Sequence, residues 1–115
     1  MFDLAPVNAL VEQLQNADIR ADLDPATLNL PGVWVQVVGF KVDTLTKFKA
    51  DLRLQLLVHD TDAVRAQADL LDLARKVNAA GIPVRTAIAR TVVLPDGTPL
   101  PALQVPTAVR GDLTP

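Results

Sequence analysis

Apolar residues at Val7, Leu10, Val11 and Leu14 follow the i, i+3, i+4, i+7 spacing that stacks side chains on one face of a helix, with Glu12, Gln13, Gln15 and Asn16 turned away. Pro6 suits a first turn, where its missing N–H costs nothing, so the pattern predicts a helix over residues 6–17. The periodicity then lapses. IRADLDPATLNLPG contains Asp-Pro and Pro-Gly pairs that resist regular structure and predicts a long irregular connection. VWVQVVG, residues 33–39, is β-branched and apolar at nearly every position, which predicts an interior strand buried on both faces. In ADLRLQLLV, Leu52, Leu54, Leu56 and Val58 alternate with Arg53, Gln55 and Leu57, the signature of a half-buried antiparallel strand. The two strands form a hairpin whose tip falls at residues 43–47, with no Asn-Gly or Asp-Gly pair to fix its register.

The period returns to that of a helix after HDTD, which supplies Asp60, Thr61 and Asp62 as cap candidates. Val64, Gln67, Ala68, Leu71, Ala74 and Val77 predict its buried face, widened by Leu70 and Leu73, and Gly81 followed by Pro83 ends it. VRTAIARTVVL predicts a strand, PDGTPLP a turn and ALQVPTAV a returning strand that Pro106 assigns to an edge or a bulge. RGDLTP reads as a frayed tail. The fold class is therefore α+β in one domain spanning residues 1–115, a mainly antiparallel sheet with two helices packed on it, in the order α-β-β-β-α-β-β.

Composition narrows the chemistry. The chain has no Cys, Ser or Tyr, which removes thiolate and serine nucleophiles, disulfides and thiolate metal sites. A formal charge of -2 gives no overall electrostatic case for nucleic-acid binding, and no apolar run approaches a membrane span. The five glycines are scattered, so no phosphate-cradling loop is present. His59 in HDTD is the sole histidine and fits a polar surface position better than a general base or metal ligand. Asp69 and Asp72 could meet as paired carboxylates on one helix face, yet their setting is that of a solvated face. These residues give no catalytic, cofactor-binding or metal site, and the chain is not expected to be an enzyme. Trp34 suits the core or an interface. Around the hairpin tip, Lys41, Lys47 and Lys49 accompany Phe48 in a faint echo of basic and aromatic interleaving, diluted by Asp43 and Asp51. The segment Thr44, Leu45, Thr46, Lys47, Phe48 and Lys49 is instead expected to contact a neighbouring subunit or a tube, with neither Leu45 nor Phe48 needed for the core.

The short N-terminal helix, the strand approach DPATLNLPGVWV, the strand running into an Asp-rich helix start at LQLLVHDTDAVRAQADLLDL and the closing hairpin TVVLPDGTPLPALQV together resemble the tail terminator family of long-tailed bacteriophages, also described as minor tail or tail-completion proteins. The resemblance spans nearly the whole chain and rests on placement of elements; it carries over no functional residue. It implies a virion protein, made in the host cytoplasm, that forms a ring, typically a homohexamer, in the neck region of the tail. Its partners would be the major tail tube protein and the head-tail connector or stopper protein. Phage DNA would pass through the lumen without sequence-specific binding, and the acidic overall charge suits a channel through which phosphates must slide. Other readings are a different neck component, such as a head-completion stopper or adaptor, and a small-molecule-binding regulatory α+β domain.

Overall fold

The structure is a computed structural model that describes residues 5–42, 47–60 and 62–112. Its element order is α1 (Ala5–Asn16), β1 (Ala21–Asp22), a 3-10 turn (Pro25–Thr27), β2 (Gly32–Val42), β3 (Lys47–Leu57), α2 (Ala63–Ala79), β4 (Ile88–Val93) and β5 (Pro99–Asp112). The five strands form one sheet in the order β1-β2-β3-β5-β4. β1 runs parallel to β2, and every other pairing is antiparallel. The α+β architecture is that expected, and the element order roughly matches, β1 being a strand that the pattern did not mark.

β3 is the axis of the sheet because its alternation is strict. Phe48, Ala50, Leu52, Leu54 and Leu56 point to the face covered by both helices, and all five are buried. Val7, Leu10 and Leu14 of α1 and Ala66, Leu70, Leu73 and Val77 of α2 complete this main core with Val33, Val35 and Val105. α1 lies across the sheet, packing against β1 and β5, while α2 covers β3 and β5. Near the N-terminal end of α1, Pro6 and Phe48 crowd Gly111 so closely that a Cβ there would sit 2.7 Å from each of them. The opposite face of the sheet is covered at one end only. There Leu57, Val92, Leu100 and Ala102 make a second, smaller cluster beneath Leu28, Leu30, Trp34 and Leu94. The indole N–H of Trp34 donates to the Leu23 carbonyl at 3.2 Å, tying the 23–31 loop to that cluster.

Four expectations need correction. The connection after α1 is not wholly irregular, since Ala21 and Asp22 pair with Val33 and Trp34. β2 is interior only over that short match; beyond it the outer edge has no neighbouring strand among the described residues, and Val37, Val38, Phe40 and Val42 are exposed. The buried face of α2 is Ala66, Leu70, Leu73 and Val77, leaving Val64 and Leu71 mostly exposed, because the i, i+4, i+7, i+11 stripe gathers two leucines at its centre and runs the full helix. Arg110 to Asp112 are not a frayed tail but the end of β5, paired with Lys49 to Lys47. Pro106 lies just beyond Gln104, the last β5 residue that β4 pairs, so its missing N–H falls where β5 becomes an outer strand.

Candidate subunit interface and charged face

The hairpin segment assigned to contacts divides. Thr44, Leu45 and Thr46 lie outside the described residues, while Lys47, Phe48 and Lys49 open β3. Phe48 does not offer itself to a partner: it is 1% exposed, a core residue under α1. Alternation sends Lys47 and Lys49 to the other face, so the apparent interleaving of cations with an aromatic is split by the sheet itself.

The exposed apolar surface lies instead on the neighbouring strand. Val37 pairs across from Leu52, and a bulge then inserts Val38 before Gly39 pairs with Asp51. One extra residue reverses the parity of everything after it. Phe40, opposite Ala50, and Val42, opposite Phe48, are thereby turned to the helix-covered face, and Lys41 to the bare one. The helices pack chiefly on β1, β3 and β5, so this end of β2 projects past their cover. Phe40 is 59% exposed, Val42 58% and Val38 55%. Such an edge, with apolar side chains and no further strand beside it among the described residues, is the kind that invites another strand. Across the sheet, the outer edge of β4 is also open, with Ile88 and Val93 exposed.

The bare face has a different character. The row Lys41, Lys49, Arg110 runs straight across β2, β3 and β5. The next row is Gly39, Asp51, Ala108, and the one after it places Gln36, Arg53 and Pro106 together. Lys49 approaches Asp51 at 3.8 Å, a loose pair between exposed side chains. Further along, Gln55 is buried and donates to the Gln36 amide oxygen at 2.9 Å, while its own Oε1 has no hydrogen-bond partner among the described residues.

The residues weighed for chemistry stay apart or are occupied locally. His59 and Asp60 are exposed at the end of β3, and Asp62 caps α2 through a 2.9 Å bond from the Arg65 N–H. His59 lines a shallow depression with Asp69, Asp72 and Lys76, but Asp72 is held by Lys76 at 3.3 Å. Among the described residues no group of three or more His, Asp or Glu side chains converges as a metal site. A cleft of about 410 Å³ opens between the end of α1 and the 3-10 turn, lined by Gln15, Arg20, Asp22 and Thr27 among others. Within it, Asp22 is held below its usual range first by the Thr27 hydroxyl at 2.6 Å and then by the Asp24 N–H. Those bonds fold the loop back on itself, and a carboxylate so engaged is a turn anchor. None of the described helices is long and apolar enough to cross a membrane.

Sequence patterning pointed to the hairpin as the place of contact but could not see the parity reversal at Val38, which decides which side chains each face receives. In comparisons with known proteins, the chain matches no protein-family model and no curated sequence.

Proposed function

We propose that the protein is a structural subunit that assembles with copies of itself into a ring, probed best as a phage tail terminator: a virion protein that caps the head-proximal end of the tail tube, stops its polymerisation and offers the joining surface to the head connector. The observation that carries this reading is the outer edge of β2, where Val37, Val38, Phe40 and Val42 lie exposed along a stretch beside which no further strand runs among the described residues. A monomer that kept this edge bare would be prone to uncontrolled edge pairing. The second open edge, β4, lies on the other side of the sheet, so the two can meet between successive copies in a head-to-tail contact. Contacts of that kind close into rings when the rotation per subunit divides the circle, and six is the number the family resemblance implies. The tail tube protein and the connector are the further partners of this reading, and the role is architectural, not catalytic.

Light scattering after size exclusion tests it. The chain should run as a discrete ring, alone or once purified tail tubes are added, and the Val38→Lys/Phe40→Lys double variant should remain a folded monomer. Electron microscopy should then find overlong tubes in tail assemblies made with the variant. A chain that stays monomeric in the presence of tubes would overturn the proposal.

A further inference from the structure

The pairing register sets Lys41 beside Lys49 and Lys49 beside Arg110 on one uncovered face. Like charges directly opposite across strands destabilise a sheet, and here three occupy a single row. Lys47 and Arg53 follow on the same face of β3, so the uncovered part of this face gathers five of the eleven Lys and Arg residues of a chain whose formal charge is -2, with Asp51 between them and Asp112 across from Lys47 in the register. Asp51 offsets only part of this, since its pair with Lys49 is long and its own side chain is exposed. The row alongside is low. A Cβ added at Gly39 would meet nothing within 4 Å, and Ala108 at the far side of Asp51 is exposed. A linear polyanion could therefore lie on the row without steric hindrance from the strand beside it.

We propose that this face binds the phosphodiester backbone of nucleic acid without reading its sequence. Adjacent strands are about 4.8 Å apart, so the three cations span roughly 10 Å. One strand of DNA presents a phosphate about every 3.4 Å of helix axis, so the row covers about three of them. Phe40 and Phe48 belong to the opposite face, and Trp34, which shares this one, lies three rows away beside Gln55 with its indole N–H on the Leu23 carbonyl, so among the described residues no aromatic flanks the Lys41–Lys49–Arg110 row. Bases have nothing to stack on there, so single and double strands bind through the same phosphates. This inference does not depend on ring formation, because the row lies within one chain.

The test is fluorescence anisotropy of the full chain with a labelled random-sequence duplex and a single strand of equal length, over a series of salt concentrations. Both should bind at low salt, with affinity falling linearly on a log–log plot. The Lys41→Gln/Lys49→Gln/Arg110→Gln variant should bind at least about tenfold more weakly, with the duplex slope reduced by about 2.7, roughly 0.9 per lost phosphate contact. Arg75→Gln/Arg85→Gln, away from this face, should bind as the parent does. Circular dichroism and size exclusion on each variant separate loss of binding from loss of fold or of assembly. Absence of binding at low salt, or an unchanged triple variant, overturns the proposal. So does binding of a polyglutamate probe in place of the nucleic acids, which would assign the face to an acidic protein.

Discussion

Phe48 shows how two neighbouring side chains can have opposite fates. With Lys47 and Lys49 on either side it reads as part of a solvated tip, yet strand alternation buries it against Pro6 and Gly111. Its placement was legible from alternation, but its importance was not, because the cover comes from α1, some forty positions earlier in the chain. Phe48→Ala should lower unfolding stability by about 3–5 kcal/mol, as aromatic truncations in closed cores do. Urea denaturation followed by tryptophan fluorescence measures this through Trp34. A loss below 1 kcal/mol would mean that the ring contributes little to the core. The carboxylates follow a quieter logic: Asp22, Asp24 and Asp62 accept backbone or hydroxyl hydrogens within their own turns, which is why a sequence rich in aspartate carries no clustered acid site among its described residues.

At the scale of elements, long and regular patterns were readable and short or shifted ones were not. The two helices, the β2–β3 hairpin and the β4–β5 return all follow from periodicity. β1 did not, since a match of two residues has no period. The bulge at Val38 was marked only by Gly39, which the pattern read as the end of the strand, and the face of α2 was misjudged because Val64 and Leu71 extend an equally apolar stripe on the wrong side. The cap of α2 was legible only as a choice among Asp60, Thr61 and Asp62; the 2.9 Å bond to the Arg65 N–H selects Asp62. Asp62→Ala should therefore cost about 1 kcal/mol, the usual worth of such a cap. His59→Ala and Asp60→Ala should change the thermal midpoint little, as exposed substitutions outside a cap generally do. Thermal melts of the three variants, side by side, check the assignment. Equal losses in all three would remove the distinction.

For the molecule as a whole, cover is uneven. The sheet is longer than the layer of helices, and the overall dimensions of 49 × 30 × 23 Å reflect that overhang. Net charge, an average over the whole chain, could not disclose that five cations share one face; only pairing register brings Lys41, Lys49 and Arg110 into line. The same register predicts where the fold opens first. β3 is bonded on both sides along its length, whereas the outer half of β2 and all of β4 have one neighbour. In native-state hydrogen exchange, Leu52, Leu54 and Leu56 should be the most protected amides, approaching the global stability, while the outward-pointing amides of distal β2 and β4 exchange early. Comparable protection of β3 and β4 would contradict the predicted hierarchy.

The docking of α1 also fixes when the fold can finish during synthesis. A helix of 12 residues is marginal by itself in water, and its stripe of Val7, Leu10 and Leu14 is satisfied by a sheet that includes β5. β5 follows the other four strands of the sheet in chain order, and Gly111, the residue against which Pro6 closes, lies near its end. α1, which precedes all the other described elements in chain order, is thus held open until β5 has emerged, so a nascent chain stalled before β5 would present that apolar stripe to chaperones.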